Sequence, residues 1–92
     1  MAEEKARRWY TYMVRCSDGS LYTGSAADSA EARTAAHNAG RGAKYTRSRR
    51  PVTLVWYREW GNAHDARSME ARLKHWKKEE KEALVRAFGK ES

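Results

Sequence analysis

A β-hairpin is indicated by the stretch Trp9-Tyr10-Thr11-Tyr12-Met13-Val14-Arg15-Cys16-Ser17-Asp18-Gly19-Ser20-Leu21-Tyr22-Thr23-Gly24. Its two ends are rich in aromatic and β-branched residues, which favour strands, and Ser17-Asp18-Gly19 between them is typical of a tight turn. Because Tyr12 and Tyr22 are equally far from Ser17, a symmetric register would place them opposite each other on one face of the hairpin. A bulge at Gly19 would shift that register.

The rest of the chain carries signals for helices and one further strand. Asp28-Ser29-Ala30-Glu31 has the spacing of a capping box and predicts a helix that ends near Asn38-Ala39-Gly40. Residues 52–60 predict a third strand, and their apolar density indicates a central one. Two more helices are predicted, from about residue 64 to 75 and from about residue 79. The order ββαβαα predicts an α+β fold, a small three-stranded, mainly antiparallel sheet flanked by helices.

The length predicts a single small domain. A chain of 92 residues buries only roughly 60–65% of its unfolded surface, so its core is modest. We expect a charged, flexible N-terminus over residues 1–8, one domain over residues 9–88 and a C-terminal tail over residues 89–92. The single cysteine, Cys16, cannot form an internal disulfide, and we predict that it only packs.

The charge favours a polyanionic partner. Lys and Arg number 19 against 12 Asp and Glu, a formal net charge of +7, which predicts nucleic acid as the partner. Five basic residues without an acidic neighbour between positions 41 and 50 are predicted to bind phosphates: Arg41, Lys44, Arg47, Arg49 and Arg50. No window approaches the roughly 18 consecutive apolar residues of a membrane span. We therefore expect a cytoplasmic protein without membrane contact, and favour a monomer.

Several reactive side chains accompany the two tyrosines. Arg33 and His37 are four residues apart on the first predicted helix and therefore lie on one face of it, and Glu70 lies on the next predicted helix. A phenol can pass a proton, a guanidinium can hold a phosphate by two hydrogen bonds, and a carboxylate can hold a hard cation. Together with Tyr12 and Tyr22, these groups suit metal-assisted cleavage of a phosphodiester.

Four motifs carry a resemblance to a known family: the triplets Tyr10-Thr11-Tyr12 and Tyr22-Thr23-Gly24, the stretch His37-Asn38-Ala39-Gly40-Arg41-Gly42-Ala43-Lys44-Tyr45-Thr46-Arg47, and Arg67-Ser68-Met69-Glu70. Their order and spacing resemble those of the GIY-YIG nucleases, and specifically the small stand-alone bacterial members. The resemblance extends from about Trp9 to Val85. The first triplet lacks the glycine and isoleucine of the family name, so only Tyr12 carries that motif.

The resemblance implies a role for each reactive residue. Arg33 would contact the scissile phosphate, and Glu70 would hold one divalent cation, Mg²⁺ or Mn²⁺. Tyr12, with Tyr22 beside it, would help to deprotonate the attacking water. A phenol with a pKa near ~10 is a poor base at neutral pH, so the metal, Arg33 or a proton relay through His37 must lower the cost. The implied activity is DNA hydrolysis with low sequence specificity, since the chain has no appended module for reading bases.

Other interpretations of the same residues stay open. Taken singly, each tyrosine is more typical of strand packing, Arg33 of a solvated helix, His37 of a helix cap and Glu70 of an ion pair with Lys74. The chain is alternatively a non-catalytic nucleic-acid-binding module that uses the basic residues 41–50, or a protein that acts only with a partner. The sequence does not distinguish branched, nicked or single-stranded DNA, or RNA, as the natural substrate.

Overall fold

The computed structural model describes residues 7–91. Within them lie strands β1 (Trp9–Arg15), β2 (Leu21–Ala27) and β3 (Thr53–Trp60), and helices α1 (Ala30–Asn38), α2 (Lys44–Arg47), α3 (Ala63–Leu73) and α4 (Lys78–Glu91). The predicted α+β class is confirmed, and the observed order is ββααβαα because the basic loop contains the four-residue helix α2. The predicted flexible N-terminus lies mostly outside the described residues, although Arg7 pairs with Asp28 at 2.9 Å. Helix α4 continues through Gly89 and Lys90, where a tail was expected.

The three strands form one fully antiparallel sheet in the order β2-β1-β3. The prediction that β3 is the central strand is wrong, because β1 pairs on both of its sides and β3 lies at an edge. The apolar density of β3 has another cause. Leu54 packs on the cluster on one face of the sheet and Trp56 on the cluster on the other, so both faces of this edge strand are covered.

The hairpin register differs from the symmetric one. Tyr12 pairs with Gly24, and Tyr22 pairs with Val14, so the prediction that the two tyrosines are directly opposite is wrong. The pairing is centred on Asp18 instead of Ser17, since Gly19 takes a positive φ of 87° and closes a three-residue loop. A shift of two residues keeps both tyrosines on the same face. The position opposite Tyr12 therefore carries no side chain.

The core consists of two clusters on opposite sides of β1. Tyr12 and Val14 lie in one of them, together with Ala30 at the start of α1. Met13 lies in the other, which includes Leu73 of α3 and is covered in part by α4. This alternation follows from the two-residue period of a strand. Among residues 7–91, no helix is long and apolar enough to cross a membrane.

Helix α1 begins one residue later than its capping signal predicted. Ser29 caps the helix, and its side-chain oxygen accepts a hydrogen bond from the Ala32 N–H at 3.0 Å. Asp28, the predicted cap, has a positive φ of 74° and lies before the helix. The helix still ends where it was expected, since Ala39 is the C-cap and Gly40 follows with a φ of 84°. This start places Arg33 and His37 on the helix as predicted.

Candidate active site

A buried hydrogen bond joins the central strand to α1. The Tyr12 hydroxyl oxygen lies 2.7 Å from Nε2 of His37, and the two residues are 1% and 0% exposed. Tyr12 reaches the histidine because Gly24 lies opposite it. A Cβ atom on Gly24 would lie 2.6 Å from the tyrosine hydroxyl oxygen, too close for two unbonded atoms. The glycine of the triplet Tyr22-Thr23-Gly24 therefore gives the phenol ring its space.

The other ring nitrogen of His37 contacts the short helix α2. Nδ1 lies 2.8 Å from Oγ1 of the buried Thr46 and 3.3 Å from the backbone N–H of Ala43. The Thr46 hydroxyl lies 2.9 Å from the Ala43 carbonyl and can donate to it. Gly42 is required here, because a Cβ atom at this position would overlap the imidazole. Loop and histidine are thus fitted to each other.

Two proton arrangements satisfy this network. When the Thr46 hydroxyl donates to the Ala43 carbonyl, its oxygen accepts from Nδ1–H, and Nε2 is free to accept the proton of the Tyr12 hydroxyl. When Nδ1 instead accepts from the Ala43 N–H and from Thr46, Nε2–H donates to Tyr12. The 2.8 Å contact between Nδ1 and Thr46 serves both arrangements. The Ala43 N–H points at Nδ1 and fits the second arrangement, whereas the bond from the Thr46 hydroxyl to the Ala43 carbonyl fits the first.

Tyr22 completes the aromatic side of the cluster. Its ring meets the imidazole of His37 edge to face, with ring centroids 5.3 Å apart. It also stacks on Tyr45 of α2, with centroids 5.9 Å apart and an interplanar angle of 22°. Tyr22 and Tyr12 thus lie against the same histidine although they are not directly opposite in the sheet.

Glu70 of α3 lies beside β2 and contacts its residue Ser25. One of its carboxylate oxygens accepts a hydrogen bond from Ser25 Oγ at 2.5 Å, and the other lies 2.9 Å from Lys74 Nζ. Its side chain is 22% exposed, so solvent and ligands can reach it. Desolvation does most to raise the pKa of Tyr12, and the negative charge of Glu70 adds a smaller increase.

Arg33 lines an open groove between β2 and α1. The groove has a volume of about 420 Å³, and Ser25, the hydrogen-bond partner of Glu70, lines it as well. Hydrogen bonding and charge from Arg33 act on the Tyr12 hydroxyl and lower its pKa in part. A phosphate in this groove would therefore lie beside the Arg33 guanidinium and beside Ser25, the hydrogen-bond partner of Glu70.

Burial sets the protonation states of the central pair. Desolvation is the largest effect on the Tyr12 hydroxyl and raises its pKa to about 12. Desolvation, followed by the positive charge of Arg33, lowers the pKa of His37 below its usual 6.5. At neutral pH the site therefore holds a protonated phenol and an uncharged imidazole.

The protein should lose stability as the pH falls below about 6.5. The unfolded chain protonates His37 near that pH, whereas the folded chain, with its lowered pKa, does not. The stability that comes from the neutral imidazole is present above pH ~6.5 and is lost as the pH falls through the folded pKa. Urea unfolding at pH 7.5, 6.5 and 5.5 measures the loss. His37→Gln should reduce the decline, and His75→Gln, at an exposed position, should leave it unchanged; an equal decline in all three proteins would contradict the assignment.

The five basic residues of the loop fall into two groups. Arg50 donates to the carbonyls of Arg47 and Asn38 at 2.9 and 3.2 Å. Arg49 bonds Asp18 at 3.1 Å and the Tyr45 carbonyl at 2.8 Å. These two guanidinium groups hold the loop together. The other three have exposed side chains: Arg41, Lys44 and Arg47.

Comparison with known proteins identifies the family. A model of the GIY-YIG catalytic domain matches residues 8–83, most of the chain. The chain belongs to the GIY-YIG catalytic domain family. It is 43% identical over 79 residues to a UPF0213 protein of Lacticaseibacillus paracasei, an alignment that covers 86% of this chain and 88% of the relative. It is also 43% identical over 76 residues to a UPF0213 protein of Staphylococcus haemolyticus, covering 83% of this chain and 92% of the relative.

The same similarity extends to a solved structure. The solution NMR structure of a UPF0213 protein from Bacillus halodurans has 38% sequence identity to this chain and a TM-score of 0.56. It covers 87% of this chain and 84% of that one. The resemblance to small bacterial GIY-YIG proteins is therefore confirmed by sequence and by fold.

The structure of this GIY-YIG domain places Tyr12, Tyr22 and His37 in direct contact, with Arg33 and Glu70 near enough for their charges to act on Tyr12. Sequence reasoning offered the ion pair of Glu70 with Lys74, which the structure has, but it missed further partners of these groups: Ser25, Thr46 and the glycines at 24 and 42. Thr46 lies inside the quoted small-branch segment, but no helical or strand period connects positions 37 and 46.

Glu70 offers one partly exposed carboxylate for a divalent cation. Among residues 7–91 there is no group of three or more His, Cys, Asp or Glu side chains placed to hold a metal ion. Glu70 alone suits Mg²⁺ or Mn²⁺, since such ions are commonly held by one or two carboxylates, with waters and substrate phosphates completing the shell. Its present cationic partner, Lys74, has a half-exposed side chain that can move aside. The residues therefore fit a cation that is held jointly with the substrate.

Proposed function

We propose that the protein is a metal-dependent endonuclease that hydrolyses DNA phosphodiester bonds with low sequence specificity. The observation that carries the proposal is the buried hydrogen bond between the Tyr12 hydroxyl and a neutral His37, within the influence of Arg33 and Glu70. Membership of the GIY-YIG catalytic domain family supports the reaction class.

The proton path begins at Tyr12. Because its pKa is about 12, the phenol carries its proton at neutral pH and is not a standing phenolate base. It can remove a proton from the attacking water only while it passes its own proton on. Nε2 of His37 accepts that proton at 2.7 Å, which requires the tautomer with the proton on Nδ1, and in this tautomer the Thr46 oxygen accepts the Nδ1–H.

Arg33 and Glu70 serve the phosphate. The Arg33 guanidinium in the groove binds the scissile phosphate and stabilises the negative charge that develops on it, an effect of ~3–4 kcal/mol for one good donor. Glu70 would hold the divalent cation, and Ser25 fixes the orientation of the carboxylate by its hydrogen bond. A divalent cation supplies Lewis acidity and lowers the pKa of a bound water.

The exposed basic side chains of the loop bind the phosphates of the DNA backbone: Arg41, Lys44 and Arg47. Each phosphate contact releases a counterion, so affinity should fall with salt and depend little on sequence. Replacing Arg41 and Arg47 together by Ala should flatten the plot of log affinity against log salt by roughly 1–2 units. Binding isotherms at several salt concentrations measure the slope.

A matched variant separates contact from total charge. Arg86→Ala with Lys90→Ala removes the same charge from exposed positions of α4 and should leave the slope close to that of the parent protein. Equal flattening by both pairs would show that the loop makes no particular contact with the DNA.

Cleavage itself is tested with purified protein and a panel of labelled nucleic acids: duplex, nicked, branched and single-stranded DNA, and RNA. Each is incubated with Mg²⁺, with Mn²⁺ and with a chelator. The proposal expects cuts in at least one DNA form that disappear with the chelator. Binding without cuts under every condition would favour the non-catalytic binding module instead.

A further inference from the structure

A second groove lies along the free edge of β2. It has a volume of about 250 Å³ and is lined by Leu21, Tyr22, Thr23, Tyr45, Lys74 and Lys81. Within residues 7–91, β2 pairs only with β1, so the outer edge of β2 is not covered by another strand. This groove is separate from the one that contains Arg33, which lies beside residues 25–27 of the same strand.

One wall of this groove is aromatic and exposed. Tyr45 is 39% exposed, although an aromatic ring that serves only packing is normally more deeply buried. Its ring is fixed, because it stacks on Tyr22 and because the Arg49 guanidinium lies 3.9 Å from the ring centroid. Arg49 is held in turn by Asp18. The Arg49 guanidinium covers part of the Tyr45 ring, so a base that enters the groove would meet the preorganised pair of rings on the side left exposed.

The opposite wall is cationic. Lys74 Nζ lies 5.9 Å from the centroid of the Tyr22 ring and 2.9 Å from Glu70, and Lys81 of α4 lines the same space. Aromatic rings beside ammonium groups are the combination that binds single-stranded nucleic acid. The base stacks on a ring, and the phosphate is attracted to the cation.

We propose that this groove binds an unpaired nucleotide of the DNA strand, with the base stacked against the Tyr22–Tyr45 pair and the phosphate held by Lys74 and Lys81. A base within a duplex has both of its faces covered by neighbours, and exposing it costs a few kcal/mol. The site therefore selects DNA with an unpaired nucleotide.

This proposal names a substrate class for the proposed nuclease. It rests on that function in one respect, because the path of the DNA strand is traced from a scissile phosphate at Arg33. The centres of the two grooves are four residues apart along β2, roughly 13 Å at ~3.3 Å per residue. A strand with its scissile phosphate beside Arg33 would therefore reach the Tyr22–Tyr45 pair within a few nucleotides. We expect the unpaired position to be close to the cut.

Binding measured in chelator tests the groove independently of cleavage. The ligands are a single-stranded thymidine oligonucleotide and a matched strand that lacks every base. Tyr45→Ala should weaken binding of the thymidine strand roughly tenfold, and Tyr45→Phe should change it by less than about twofold. Both variants should bind the abasic strand as the parent does, since no base is present to stack. A 2-aminopurine base in the strand should lose fluorescence on binding the parent and retain it with Tyr45→Ala.

An equal loss on the abasic strand, or an equal loss on duplex DNA, would overturn the proposal. Tyr45→Trp is a control for misfolding, since a misfolded variant would not gain affinity. Its larger ring should tighten binding of the thymidine strand and not of the abasic strand. The two hypotheses fail separately. Stacking without cleavage in any metal would refute the nuclease proposal and support the nucleotide-binding groove. Metal-dependent cleavage without a stacking signal would support the nuclease and refute the groove.

Discussion

Replacing Glu70 with Gln should abolish DNA cleavage while leaving the fold and DNA binding in place. The glutamine keeps the volume of the side chain and an oxygen that accepts from Ser25, but it loses the charge that would hold a divalent cation. The lost ion pair with Lys74 is half exposed and contributes at most about 1 kcal/mol to stability. Removing a negative charge near the phosphate should, if anything, strengthen binding.

Turnover is measured as a function of Mg²⁺ and Mn²⁺ concentration, with thermal unfolding and binding in chelator recorded on the same samples. Glu79→Gln makes the same chemical change in the first turn of α4, at an exposed position, and should cleave at the parental rate. Undiminished turnover by Glu70→Gln at limiting metal would show that another group holds the cation. Loss of cleavage together with loss of the fold would assign Glu70 a structural role.

The sequence predicted every element except the short helix α2, and it failed on two details of the strand pairing. Aromatic and β-branched runs predicted all three strands, and capping and spacing predicted α1, α3 and α4. The position of β3 was wrong, because an edge strand covered on both faces has the same apolar density as a central one. The register was wrong because it depends on which residue of Ser17-Asp18-Gly19 takes positive φ, and Gly19 moved the centre to Asp18.

For the candidate site, the sequence predicted which residues belong to it, and the structure was needed to show which of them contact each other. The helical spacing of Arg33 and His37 predicted one shared face, and the structure has both residues acting on Tyr12. The link from His37 to Thr46 spans a loop whose path depends on Gly42 fitting against the imidazole, which no local pattern encodes. The charge of the basic loop likewise did not reveal that the guanidinium groups of Arg49 and Arg50 donate hydrogen bonds to nearby backbone carbonyls.

Arg33 should prove the more important member of the helical pair in turnover. Arg33→Ala should lower kcat by ~10²–10³, because the guanidinium acts on charge that develops in the transition state. It should not harm the fold, since the residue is only partly buried and alanine favours helix. Arg86→Ala, on an exposed face of α4, makes the same substitution away from the groove and should retain the parental rate.

His37→Gln should have a smaller effect on the rate, about tenfold to a hundredfold, and a distinct effect on the pH profile. In the parent protein, activity should fall as the pH drops through the lowered pKa of His37, because a protonated Nε2 cannot accept the Tyr12 proton. The variant should lose this acidic limb, and Arg33→Ala should keep it. Single-turnover rates between pH 5 and pH 8 test both statements. If His37→Gln is the slower of the two variants at every pH, the histidine contributes more to the transition state than the arginine, and the proposed roles are reversed.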